Sequence, residues 1–114
     1  MKYIIVITES SICFRVDKRH FHREGGPAYY YFNTYKNCLR EYKEWHLNGE
    51  LHREDGPAIE DDHSSGNYSR KEWWYMGKRH REDGPAIEIR NYDSDYYFLK
   101  EWYINNKFVK SVKY

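Results

Sequence analysis

One motif occurs three times in this chain, and it constrains the fold more than any other feature. His22-Arg23-Glu24-Gly25-Gly26-Pro27-Ala28, His52-Arg53-Glu54-Asp55-Gly56-Pro57-Ala58 and His80-Arg81-Glu82-Asp83-Gly84-Pro85-Ala86 are copies of it, 30 and then 28 residues apart. A second signature recurs between them: Lys43-Glu44-Trp45, Lys71-Glu72-Trp73 and Lys100-Glu101-Trp102. Every proline and every alanine of the chain belongs to a Gly-Pro-Ala triplet, so chance does not explain the pattern. A period of this length means an array of supersecondary units, each burying its apolar face against its neighbours. The first copy lacks the Lys-Glu-Trp opening. The fourth, Trp102 to Lys110, lacks the His-Arg ending. Atypical ends of this kind cap a short array.

Each unit reads as a β-hairpin. Asn48-Gly49 sits between two alternating stretches, the strongest short-range hairpin signal. Counting outwards pairs Leu47 with Glu50, His46 with Leu51, Trp45 with His52 and Glu44 with Arg53. The third copy, turning at Met76-Gly77, pairs Trp73 with His80 and Glu72 with Arg81. The degenerate copy, turning at Asn105-Asn106, pairs Trp102 with Val109 and Glu101 with Lys110. A Glu–Arg/Lys pair and a Trp–His/Val pair are thus expected as recurring cross-strand neighbours. In Asp-Gly-Pro-Ala the glycine is expected to supply a positive φ, the proline to remove a donor, and the aspartate to close an Asx-type turn. A further strand follows each time, over 28–35, 58–62 and 86–91. Polar loops come next, at Lys36-Asn37, 63–67 and 92–95. Leu39, Tyr42 and Trp45 also fit a helical spacing, but the strand contexts of the other copies outweigh it.

Composition narrows the class. Leu, Ile, Val and Phe make up 21 of 114 residues, a fraction that reads as disorder when net charge is high. Here the net charge is only +1, and 13 Tyr and 4 Trp supply the missing buried area. That balance argues against a DNA mimic and against a polybasic nucleic-acid tail. Cys13 and Cys38 are too few for a disulfide scaffold or a cysteine zinc site. The opening Met1–Glu9 is too short for a signal peptide, and no run reaches the length of a membrane helix. A reduced, cytoplasmic protein is expected. The fold class is all-β: one antiparallel sheet of repeated hairpins in a single domain over 1–114. It has a capping strand at 1–13, repeats at 14–35, 40–62 and 70–91, and a degenerate capping repeat at 96–114. Tyr3–Ile7, Tyr29–Phe32 and Tyr96–Phe98 are apolar on both faces, which suggests strands covered on both sides.

Trp45-x-x-Asn48-Gly49-x-x-His52 resembles the core of MORN-type repeats. The fuller Trp-x-x-x-Gly-x-x-His-Arg-x-Asp-Gly-Pro-Ala form resembles a MORN-like variant seen in bacteriophage and giant-virus proteins. The resemblance covers roughly residues 14–110. It departs from ordinary MORN repeats at Arg-Glu-Asp-Gly-Pro-Ala and in its longer period. It implies a stack of hairpins with a non-enzymatic binding or scaffolding role, such as a small phage-type inhibitor or adaptor acting on a host or defence protein, located in the host cytoplasm.

The side chains agree with a non-catalytic reading. Equivalent histidines in adjacent hairpins lie two strands apart, about 9–10 Å, too far to share a zinc ion. His22, His52 and His80 are therefore expected to stack on the facing Trp and hydrogen-bond a neighbouring turn, with no metal and no cofactor. His20 with His22 would supply only two ligands. Arg53 and Arg81 are expected to pair with Glu44 and Glu72. No serine lies in a nucleophile elbow, and the paired carboxylates Asp61-Asp62 and Asp93/Asp95 have no apolar pocket to raise a pKa. Opposite the Trp45/Trp73 face the hairpins present the pairs His46–Leu51, Trp74–Arg79 and Tyr103–Phe108. Aromatics edged with arginine are what protein-binding hot spots use, so a protein partner is expected there. The competing structural reading makes that face a second core layer under the N-terminal strand. The alternative function is a small-ligand, nucleotide-sequestering site at Arg53, Arg81, His52 and His80. Nucleic acid lacks an electrostatic stripe, and self-association stays open.

Overall fold

The computed structural model describes residues 3–17, 20–35, 38–64, 67–92 and 97–114. Met1, Lys36-Asn37, Asp93, Asp95 and Tyr96, named above, lie outside the described residues. The chain is all-β: β1 (Ile4–Ile7), β2 (Ser11–Arg15), β3 (Tyr29–Tyr35), β4 (Cys38–Glu44), β5 (His46–Leu47), β6 (Glu50–Leu51), β7 (Ile59–His63), β8 (Tyr68–Glu72), β9 (Trp74–Tyr75), β10 (Lys78–Arg79), β11 (Ile87–Asn91), β12 (Tyr97–Ile104) and β13 (Lys107–Lys113). Nine of these form one antiparallel sheet in the order β1-β2-β3-β4-β7-β8-β11-β12-β13. The pairs β5-β6 and β9-β10 are small hairpins set between successive long strands.

The turns behave as their residues dictate. Asn48 (φ 51) and Gly49 (φ 83), Met76 (φ 49) and Gly77 (φ 77), and Asn105 (φ 47) and Asn106 (φ 69) all carry positive φ. Two positive φ values in succession match the right-handed twist of a tight hairpin. His46 faces Leu51 and Leu47 faces Glu50, and the His52 N–H donates to the Trp45 carbonyl at 3.0 Å.

Counting further outwards fails, because the strands of the second and third copies break at Trp45 and Trp73. The Trp45 N–H donates to the Ala58 carbonyl (2.8 Å) and the Trp73 N–H to the Ala86 carbonyl (2.7 Å), both in the large sheet, while their own carbonyls serve the small hairpins. Glu44 therefore lies opposite Tyr29 and Ile59, and Glu72 opposite Ile59 and Ile87, not opposite Arg53 and Arg81. In the last copy a bulge between Trp102 and Tyr103 sets Trp102 opposite Lys110 and Glu101 opposite Ser111, leaving Val109 unpaired in the register. The Gly-Pro-Ala segments return the chain to the large sheet. The amides of Ala28, Ala58 and Ala86 donate to the carbonyls of Glu44, Glu72 and Glu101 at 2.7–2.8 Å. These alanines are 0% exposed, which explains why only alanine stands there.

The small hairpins join into a second ribbon. Backbone amides of Arg23, Arg53 and Arg81 donate to the carbonyls of His46, Trp74 and Tyr103, and those of Gly49, Gly77 and Asn106 to Phe21, Leu51 and Arg79. On one face of the large sheet, Lys43, Glu60, Lys71, Glu88 and Lys100 stand directly opposite one another across five strands. That row of alternating charge fixes register more than it adds stability. The other face carries the most buried side chains: Cys13, Ile59, Asp61, Glu72 and Ile87. β1 is not covered. Ile4, Ile5, Val6 and Ile7 are exposed because β1 is the sheet's edge, with β2 on one side only. It therefore does not cover Trp74 or Tyr103, which lie at the far end of the strand order.

Candidate functional site

The residue after each Lys-Glu-Trp differs, yet it is always a ring with a donor: His46, Trp74 or Tyr103. Strand alternation puts it on the same face as the glutamate two residues earlier. The structure uses this each time. His46 Nε2 lies 3.1 Å from Glu44 Oε2, Trp74 Nε1 donates to Glu72 Oε1 at 3.3 Å, and the Tyr103 hydroxyl donates to Glu101 Oε2 at 3.4 Å. These glutamates were not expected to matter on this face. The donor that follows every Lys-Glu-Trp was the signal available in the sequence.

Glu72 is the centre of the arrangement. It is 2% exposed and ion-pairs with Arg70 and, at 3.5 Å, with Arg79. Arg79 also packs between rings, 5.2 Å from the centroid of Trp74 and 5.4 Å from that of Tyr103. Tyr103 meets Phe108 edge-on at 5.7 Å, and Phe108 is 57% exposed. Trp74, Arg79, Tyr103 and Phe108 therefore form one continuous patch. His46 belongs to a separate group, edge-on to Phe21 at 5.3 Å. Burial raises the Glu44 carboxyl, but hydrogen bonds from His46 and Tyr42 outweigh it and hold the group below the usual glutamate range. Burial, with the Glu44 carboxylate beside it, pushes the Tyr42 phenol up.

Of the second candidate set, Arg53, His80 and Arg81 line an open groove between repeats, of about 980 Å³, with Asp55, Trp73 and Tyr75, whereas His52 lines the neighbouring groove with Arg53 and Trp45. Its cations are committed. Arg53 stacks 3.9 Å over Trp45, and Arg81 stacks 3.8 Å over Trp73. Each donates Nε to the aspartate two residues on (Asp55 at 3.0 Å, Asp83 at 3.2 Å) and an Nη1 hydrogen to the proline carbonyl at 3.0 Å. Glu60 and Glu88, each at 3.4 Å, complete the surroundings. The expected partners Glu44 and Glu72 are thus replaced by Asp55/Glu60 and Asp83/Glu88, because the strand break turns the arginine to the opposite face. Glu54 and Glu82 add exposed negative charge to the same wall.

The histidines serve the next repeat. Nδ1 of His22, His52 and His80 accepts the backbone N–H of Asn48 (2.8 Å), Met76 (2.9 Å) and Asn105 (3.0 Å). The ring neighbours are tyrosines, not the facing tryptophans: Tyr3 at 6.1 Å from His22, and Tyr75 at 4.7 Å from His52. Arginine has taken the tryptophan faces. Among the described residues no three His, Cys, Asp or Glu side chains gather as a metal site.

The motif glycine also has a different purpose from the one expected. Gly26, Gly56 and Gly84 are not in the positive-φ region. A Cβ at Gly84 would meet the Arg81 guanidinium carbon at 2.8 Å, and one at Gly56 the Arg53 carbon at 3.0 Å. Glycine is required so that the guanidinium can lie on the tryptophan. Gly84→Ala should therefore push the flexible end of Arg81 off Trp73 and cost about 0.5–1 kcal/mol, the usual worth of a part-exposed cation–π contact. Chemical denaturation of the variant, followed by tryptophan fluorescence, checks this.

No protein-family model matches the chain, and no significantly similar curated protein or solved structure was found.

Proposed function

We propose that the chain is a non-catalytic protein-binding module that engages its partner through Trp74, Arg79, Tyr103 and Phe108. The observation carrying this reading is the exposed end of that patch. Phe108 projects beside Tyr103 at 57% exposure, on a row whose polar atoms are already held by Glu72 and Glu101. Rings pre-set in this way lose little conformational freedom on docking, which is what makes aromatic and arginine side chains effective hot spots. The role of a phage-type inhibitor or adaptor in a host cytoplasm rests on the motif's resemblance to MORN-like viral repeats. Nucleotide sequestration is the weaker reading, since Nε and Nη1 of Arg53 and Arg81 already serve their own turns and carboxylates and the groove wall is acidic.

Phe108→Asp is the discriminating variant, because Trp74 is tied to the buried Glu72 and its loss would disturb the fold. Phe108→Asp should leave the melting temperature within a few degrees, as surface substitutions usually cost less than about 0.5 kcal/mol. It should abolish stoichiometric capture of a partner from bacterial lysate. Retained capture by Phe108→Asp would move the binding surface elsewhere.

A further inference from the structure

The two edges of the large sheet differ. β13 carries Lys107, Lys110 and Lys113, the charged side chains that keep an exposed edge from pairing with another chain. β1 carries no charge: Ile4, Ile5, Val6 and Ile7 are 46%, 53%, 38% and 70% exposed. The direction of its backbone groups follows from the pairing with β2. The Thr8 N–H donates to the Ser11 carbonyl, so by alternation residues 4, 6 and 8 turn their backbone groups toward β2. Tyr3, Ile5 and Ile7 turn theirs away from the sheet.

We propose that β1 is a homodimerisation edge that pairs antiparallel with β1 of a second copy. The occupant follows from complementarity. An incoming strand must be extended and apolar on both faces. β1 is such a strand and carries no charge; β3 is uncharged too, but it is paired with β2 and β4 on its two edges. β13 carries three lysines that this edge would leave unpaired. In an antiparallel pair, directly opposed residues share a face, so the partner register joins residues of equal parity. Centring the two-fold axis on Ile5 sets Ile5 against Ile5, Ile4 against Val6 and Tyr3 against Ile7. That register bonds every outward-facing residue. It also closes on itself, because an isologous contact uses up both edges and stops at two chains. The proposal does not depend on the patch at Trp74 and Phe108, which lies at the other end of the strand order.

Sedimentation velocity across a wide concentration range tests it, together with amide exchange at Ile5 and Ile7. The wild-type chain should show a monomer–dimer equilibrium, with these two amides protected only where dimer is populated. Ile5→Lys should be monomeric throughout. Ile5→Pro should behave likewise, since it removes an outward N–H and leaves the bonds to β2 intact. Val109→Lys, at an equally exposed site on β13, should dimerise as the wild type does. If Ile5→Pro disturbs the far-ultraviolet spectrum, Ile5→Lys and the amide exchange decide alone. Three results would each overturn the proposal: a monomer at every concentration, association continuing past two chains, or a dimer that survives Ile5→Lys.

Discussion

Glu72→Ala should destabilise the chain by about 3–5 kcal/mol, the range for removing one partner of a buried charge cluster. The side chain is 2% exposed and receives Arg70, Arg79 and the Trp74 indole N–H. Alanine leaves two guanidinium groups around an empty carboxylate position. Their side chains are 39% and 33% exposed, so water recovers part of the lost interaction and the effect belongs at the lower end of that range. The melting temperature should fall by roughly 10–20 °C. Glu44→Ala is the internal comparison: Glu44 is 21% exposed and, among the described residues, holds His46 and Tyr42 and no arginine, so its loss should cost less. Urea titrations at constant slope read both values. Equal effects for Glu44 and Glu72 would show that burial of the cluster is not what stabilises it.

The all-β class and the hairpin turns were legible because they are local. Asn48-Gly49 and Asn105-Asn106 are residues that tolerate positive φ, and the turn chemistry fixed His46 against Leu51 without any knowledge of the rest. The errors begin one residue beyond. Nothing near Trp45 announces that its N–H will serve the Ala58 carbonyl while its own carbonyl serves His52, so a hairpin counted through that point assigns Glu44 and Arg53 to each other. The break also reassigns faces. It sends Arg53 onto Trp45 and Glu44 toward His46, and it turns the motif glycine from a turn residue into a clearance for the guanidinium. The candidate surface was half legible for the same reason. Trp74–Arg79 and Tyr103–Phe108 are local pairs and were assigned correctly, and the structure places them side by side. The glutamates beneath them act across the junction and were not anticipated. β1 was misjudged because an apolar run reads the same whether it is buried between neighbours or left at an edge.

His22→Ala should be the most damaging of the three motif-histidine replacements, at about 3 kcal/mol from the lost buried ring and the unsatisfied amide together. Its side chain is 1% exposed, against 9% for His52 and 18% for His80. The three accept equivalent bonds, so the cost of truncation should fall in the order His22, His52, His80. Acceptance at Nδ1 places the ring proton on Nε2. Asparagine presents its carbonyl oxygen close to the position of Nδ1, so His22→Asn should recover part of the loss. His22→Phe should fill the space yet leave the Asn48 amide without its acceptor. Because each unit of a repeat array depends chiefly on its neighbours, the damage should be local. Amide exchange at Asn48 and Gly49 should accelerate strongly in His22→Ala, while Asn105, which donates to His80, keeps its protection. Uniform loss of protection along the chain would instead mean that the hairpins unfold as a single cooperative unit, and that the histidines bind the array into one body rather than joining it pair by pair.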